Sequence, residues 1–192
     1  TGFPVSPRFE SLEKVSPDDP LNPFRILFFP TARSPHVTDI IKAALSDENH
    51  ITVVLGRNVR RLYRKVYSLK KSFPGRIHIK GWTRKVPELL SSHHLVIGKA
   101  GGATVHEAIA AQCPMLVHHI VPGQEEGNIE LLDRFQTGSL ATSAKTIRES
   151  ISNLLDDDAA LWREQKNRLS QHARPSAARD AANFILSKVK PS

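Results

Sequence analysis

In the stretch Gly98–Asn128, GKAGGATVHEAIAAQCPMLVHHIVPGQEEGN, two short loops carry residue types that can grip a phosphorylated, hydroxyl-rich ligand. The first, Lys99-Ala100-Gly101-Gly102-Ala103-Thr104, joins an apolar run to an amphipathic segment. Its small residues let the backbone approach a ligand closely, and the N–H groups that open a helix favour an anion. A glycine pair also suits an ordinary tight turn. Glu107 follows, where a carboxylate either favours the helix dipole or accepts hydrogen bonds from a vicinal diol such as a ribose. The second loop, Pro122-Gly123-Gln124-Glu125, repeats the arrangement one unit later. Gln124 offers a donor and an acceptor and Glu125 two acceptor oxygens, the mixture that an array of sugar hydroxyls needs, while Asn128 reads as a capping or packing amide. Together the loops read as a cradle for a nucleotide sugar or a closely similar ligand.

Such loops work only if consecutive strands end side by side, and the surrounding pattern supplies that. FRILFFP (24–30) is a short, wholly apolar run typical of a buried parallel strand, and Ser34-Pro35 supplies an N-cap and a first-turn proline for a helix with Val37, Ile40, Ile41, Ala44 and Leu45 on one stripe. ITVVLG (51–56), RIHIKGW (76–82), LVIG (95–98) and PMLVHHIV (114–121) read as further strands, with Gly138–Thr142 as a short sixth. Helices are expected between them, over the basic stretch 57–71 and over 84–92, 102–112 and a segment beginning near Gln124. Three more are expected at the C-terminal end, the first two separated near Asp156-Asp157-Asp158. The alternation predicts an α/β fold with a doubly wound parallel sheet of about six strands and ligands beyond the strand C-termini. Residues 1–23, with Pro4, Pro7, Pro17, Pro20 and Pro23, read as a proline-rich linker or lead-in segment, and 24–192 as the folded domain.

The chain has 192 residues, 40% hydrophobic and 24% charged, with no apolar run near the roughly 20 residues of a membrane span. The opening TGFPVSPRFE lacks the pattern of a signal peptide, so a cytoplasmic setting is expected. The lone Cys113 excludes an internal disulfide and reads as a buried core residue. Neither His93-His94 nor His118-His119 has metal-ligand spacing, Asp156–Asp158 falls where helix caps are common, and His106 reads as structural or exposed; no metal site is expected. The net charge of +8 is concentrated in Arg57, Arg60, Arg61, Arg64, Lys65, Lys70 and Lys71, with no acidic residue among them. This face is either simply solvated or attracted to anionic lipid headgroups; no stacking platform or recognition motif argues for nucleic acid.

KAGGATVHEAIAAQCPMLV followed by PGQEEGN resembles the C-terminal, donor-binding half of the GT-B glycosyltransferases. It is most similar to galactosyl- and glucosyl-diacylglycerol synthases, and more distantly to the peptidoglycan enzyme that adds N-acetylglucosamine to lipid I. The opening TGFPVSPRF resembles the family's interdomain passage. The resemblance implies a Rossmann-like half of a GT-B fold that helps move a hexose, with inversion, from a UDP-sugar to a lipid acceptor such as diacylglycerol. UDP-sugar would be substrate, with no metal or cofactor. Catalytic residues would lie in an N-terminal domain absent from this chain, which would leave it inactive alone. An N-terminal acceptor domain or subunit and an anionic membrane surface are the further partners, with peripheral membrane association.

Residue by residue, the resemblance implies that backbone groups of Gly101, Gly102, Ala103 and Thr104, following Lys99, hold the diphosphate and Glu107 the ribose hydroxyls. It places the hexose on Gln124 and Glu125 after Gly123, Asn128 nearby, and the uracil beside Trp82 and Thr83. One departure stands out. Where the family has a glycine-rich turn, this chain has Pro30-Thr31-Ala32-Arg33-Ser34-Pro35, in which Arg33 is either a phosphate partner or a surface loop residue. Three other readings stay open: half of a sugar-nucleotide 2-epimerase, a non-catalytic donor-binding subunit that needs a membrane partner, and a basic lipid- or nucleic-acid-binding module.

Overall fold

The computed structural model describes residues 2–31, 36–45, 48–56 and 59–189. Six parallel strands, β1 (Arg25–Phe28), β2 (His50–Val54), β3 (Ile77–Lys80), β4 (Leu95–Lys99), β5 (Met115–His119) and β6 (Gly138–Leu140), form one sheet in the order β3-β2-β1-β4-β5-β6. The expected strands are all present; β1, β2, β3, β5 and β6 are a little shorter than the expected runs, and β4 extends one residue further, to Lys99. The helices are α1 (Val37–Ala44), α2 (Val59–Ser72), α3 (Val86–Ser92), α4 (Gly102–Ala110), α5 (Glu126–Phe135), α6 (Ala144–His172) and α7 (Ala177–Lys188). Chain direction reverses its march across the sheet between β1 and β4, so a crevice must open there beyond the strand C-termini. Ser34, Pro35, Arg33 and Arg57 lie outside the described residues.

The central strands are apolar at successive positions because helices cover both faces of the sheet. Ile26 and Phe28 of β1 point into a core with α1, α2 and the first part of α6, through Ile40, Leu62, Val66 and Ile151. Leu27, between them, points the other way into a core with Val105, Ile109, Leu132 and Leu169. Edge strand β3 is buried only at Ile77 and in part at Ile79, giving the alternation seen in its sequence.

Residues 2–23 lie against this domain. A 3-10 turn at Pro7–Glu10, opened by Ser6, buries Phe9 completely, and Val5 and Val15 are also buried. Val15 N–H donates to Ser91 O at 3.1 Å, and Arg8 pairs with Glu88. Three apolar residues at irregular spacing among prolines carry no helix or strand period, so their packing is invisible to a periodicity argument.

Helix α6 is the two helices expected at the C-terminal end, joined through a break. Asp157, Asp158 and Ala159 have φ of 51°, 53° and 59°, a left-handed run that the short polar aspartates tolerate better than most residues. Ser143 and Thr146 form a reciprocal capping box at the start. At the far sheet edge β6 approaches β5 so closely that a Cβ on Gly138 would lie 2.4 Å from Met115 O. Gly138→Ala is therefore expected to displace β6 and cost about 1–3 kcal/mol of stability, read as a fall in the denaturant midpoint.

Candidate functional site

Along the C-terminal edge of the sheet run two adjoining depressions that share Phe29 and Pro30. One, about 470 Å³, lies at the β1/β4 crevice and is lined by Thr31, Lys99, Thr104, His119 and Val121. The other, about 320 Å³, extends past the ends of β2 and β3 to Leu55, Gly56, Trp82, Thr83 and Val86. The C-terminal ends of five strands, β1 to β5, thus border one elongated cleft, with Trp82 54% exposed and the Arg84 guanidinium 5.5 Å from its ring centre.

Helix α4 points its N-terminus at this cleft. Its N-cap is Gly101, which makes no side-chain cap, so the first-turn N–H groups are left for solvent or a ligand. A Cβ on Gly101 would crowd Lys99 Cε at 3.1 Å, whereas one on Gly102 would make an ordinary contact with Asn128 Nδ2 at 3.8 Å. Lys99 is placed by a register shift between β4 and β5 at Gly98/Lys99, a device that re-aims a side chain at a strand end.

The second loop is a turn closed by Gln124 N–H to Val121 O at 3.3 Å, with Pro122 and then Gly123 at φ 80°, the signature of a type II turn. Glu125 pins it from inside. Only 5% exposed, its Oε1 accepts from Lys99 Nζ at 2.6 Å and its Oε2 from Val121 N–H at 3.0 Å. Burial works against the charged carboxylate, but the Lys99 and Val121 hydrogen bonds and the Lys99 charge outweigh it and hold Glu125 below the usual carboxylate range. Asn128 Nδ2 donates to Ala100 O at 2.8 Å and so ties α5 to the first loop.

The expected residues therefore separate. Lys99, Gly101, Gly102, Glu125 and Asn128 form one contact group, Lys99 and Thr104 line the crevice, and Trp82 and Thr83 line its extension. Ala103, Gly123 and Gln124 are exposed and line neither depression. Glu107 is half-buried beyond the first turn of α4, too far along for the dipole to explain it. Burial pushes its carboxyl up, and among the described residues it has no hydrogen-bond or ion-pair partner.

No protein-family model matches the chain. Over 185 residues it is 28% identical to the processive diacylglycerol beta-glucosyltransferase of Bacillus pumilus, an alignment that covers 92% of this chain and 48% of that protein. The chain spans about half the length of the curated relatives it matches. Among solved structures, MurG of Acinetobacter baumannii overlays with a TM-score of 0.70 at 16% identity, over 89% of this chain and 52% of that one. HepE of Anabaena in complex with UDP-glucose overlays with a TM-score of 0.57 at 17% identity, over 88% and 50%. The fold is that of a GT-B C-terminal domain.

Several cleft residues of this GT-B domain escape a motif reading. Phe29, Leu55, Gly56 and His119 belong to no motif, yet each follows or ends a strand, and the rule that ligands sit beyond strand C-termini is the signal that points to them. His106 turns away and stacks on Phe3 at 4.0 Å, beside a separate cavity of about 270 Å³ that also contacts His172 and Arg174. Among the described residues no group of three or more histidine, cysteine or acidic side chains could hold a metal ion. Asp156–Asp158 forms the break in α6, and Cys113 is buried with its thiol pushed up to about 12 by burial.

Proposed function

We propose that this domain is the donor-binding half of a glycosyltransferase that moves a hexose from a UDP-sugar to a lipid acceptor such as diacylglycerol, with inversion. The observation that carries the reading is the uncapped N-terminus of α4, opened by Gly101-Gly102 beside Lys99, at the crevice where the sheet order reverses. In this reading the developing diphosphate charge is met by α4 N–H groups and the Lys99 ammonium, with no metal. Uracil lies toward Trp82 and Thr83, the ribose hydroxyls reach Glu107, and the hexose lies toward the Gly123-Gln124-Glu125 turn. The general base and acceptor site come from an N-terminal half, so this chain alone binds donor without turning it over. Support for the sugar nucleotide comes from the likeness to HepE bound to UDP-glucose, and for the lipid acceptor from the Bacillus relative's name. These names favour transfer over the epimerase reading. Among the described residues no helix is long and apolar enough to cross a membrane, and we place the protein in the cytoplasm with peripheral contact to lipid.

Titration calorimetry with UDP tests this. Saturable binding is expected, and Glu107→Ala, which removes a carboxylate acceptor, is expected to weaken it about 10- to 100-fold; Gln124→Ala is expected to weaken UDP-hexose binding more than UDP binding. Absence of UDP binding by the unaltered chain would sink the proposal.

A further inference from the structure

Helix α2 turns to solvent a face that the fold does not use. Leu62, Val66 and Leu69 account for its buried side. On the other side Arg60, the adjacent Tyr63 and Arg64, Tyr67 and Lys71 recur at successive turns and form one exposed stripe. The helix contains no acidic residue, and among the described residues none of Arg60, Arg64, Lys65, Lys70 and Lys71 has a carboxylate partner. Like charges one turn apart, as at Arg60 and Arg64, destabilise an isolated helix, and a solvated face ordinarily mixes signs to avoid this. This stripe is unneutralised until something anionic lies on it.

Two aromatic rings sit in the middle of that charge. Tyr63 and Tyr67 are 41% and 42% exposed, their rings stack at 5.4 Å with 16° between planes, and Lys71 Nζ lies 5.4 Å from the Tyr67 ring centre. Tyrosine with an apolar ring and a polar tip suits the headgroup layer of a bilayer, where lysine and arginine can reach lipid phosphates. A convex stripe of this kind fits a flat surface better than a single nucleic-acid strand, which is usually held in a groove. The helix follows β2 through Leu55 and Gly56, which line the cleft, so its N-terminal end lies at the cleft mouth.

We infer that the α2 stripe docks this chain on an anionic lipid bilayer, with the tyrosine pair among the headgroups and the cleft mouth held at the membrane. The choice of lipid over other polyanions rests on the lipid-acceptor reading; the charge and ring geometry stand without it.

The test is co-sedimentation of the full chain with vesicles of phosphatidylcholine alone and with added phosphatidylglycerol, alongside a UDP titration of the same samples. Binding is expected to the anionic vesicles only. The triple variant Arg60→Glu, Arg64→Glu, Lys71→Glu is expected to lower it by about a hundredfold or more, since each basic residue contributes roughly fivefold. Tyr63→Ala with Tyr67→Ala is expected to leave binding that is weaker and lost at lower salt. Circular dichroism and UDP affinity without vesicles should be unchanged in both variants, because these side chains are exposed and none of them lines the cleft. Equal sedimentation with both vesicle types, or a charge-reversed variant that binds like the parent, overturns the inference, as does tighter binding to a single-stranded oligonucleotide than to vesicles. Vesicle binding without UDP binding upholds the docking surface and removes the donor reading; UDP binding without vesicle binding does the reverse.

Discussion

Between pH 6.5 and 4 this domain is expected to unfold cooperatively, because three imidazoles are sealed inside it uncharged. His93, His94 and His118 are 8%, 0% and 5% exposed, and burial pushes them down to about 4, 3 and 4 respectively. Their surroundings suit the neutral ring. His93 Nδ1 lies 2.6 Å from Leu89 O and its Nε2 2.9 Å from Thr52 Oγ1, so the first donates and the second accepts from the hydroxyl. His94 Nδ1 accepts Arg25 N–H at 2.8 Å while the ring lies between Phe24 and Trp162, with Arg25 and Lys166 adding positive charge nearby and Asp19 opposing them. His118 has one long contact, Nε2 to Phe29 O at 3.4 Å, and its Nδ1 is buried without a partner.

The unfolded chain takes up these three protons near pH 6.5 and the folded chain does not until near 4 and below. The stability these neutral rings contribute is therefore whole above 6.5 and is lost as the pH falls toward 4. Three protons at about 1.4 kcal/mol per pH unit each give a slope of about 4 kcal/mol per unit, against a typical total of about 5–15 kcal/mol. Glu107, whose carboxyl burial pushes up, acts in the opposite direction with a single proton. Denaturant titrations followed by circular dichroism at stepped pH should show the slope, and His118→Gln should reduce it by about a third if the variant folds at pH 7. If it does not fold, the parent's slope alone decides. An unfolding free energy flat from pH 7 to 4.5 would falsify this account.

How far these features can be read from the chain depends on whether they are local. The runs at 24–30, 95–98 and 114–121 announce buried strands because each is apolar over its own few residues, and the glycine pair marks the α4 entrance for the same reason. Burial of His93, His94 and His118 is not local: polar residues at strand beginnings and ends look the same whether helices cover them or not. The Lys99–Glu125 pair joins residues of opposite charge from the end of β4 and the loop after β5, which meet at 2.6 Å where the β4/β5 register shifts. Phe9 and Val15 are hidden by their prolines, whereas the break at Asp156–Ala159 separates the two helical stretches of α6 where periodicity and the aspartates place it. The fold class thus follows from local patterns, whereas the site is a product of register.

That register gives Glu125 a role that its residue type does not suggest. A carboxylate in a sugar-binding turn is expected to meet hydroxyls, yet both oxygens of Glu125 face inward, one on Lys99 and one on Val121 N–H. Its effect on a bound hexose would then run through the turn, by holding Pro122-Gly123 in place and Gln124 outward. Glu125→Ala is expected to cost about 2 kcal/mol of stability, two charge-assisted hydrogen bonds discounted because the Lys99 side chain is 46% exposed. It should also weaken UDP-glucose binding about tenfold or more while changing UDP binding less. Glu125→Gln keeps an amide oxygen for Val121 N–H and gives up the charge on Lys99, so it should fall between the two in stability and in UDP-glucose affinity. Lys99→Met, which leaves the buried carboxylate with one donor, should lose stability as Glu125→Ala does and lose UDP affinity as well. Denaturant unfolding and calorimetry with UDP and UDP-glucose decide the matter. If the alanine and glutamine variants are as stable as the parent and lose glucose recognition alike, the carboxylate touches the sugar itself and the latch is wrong.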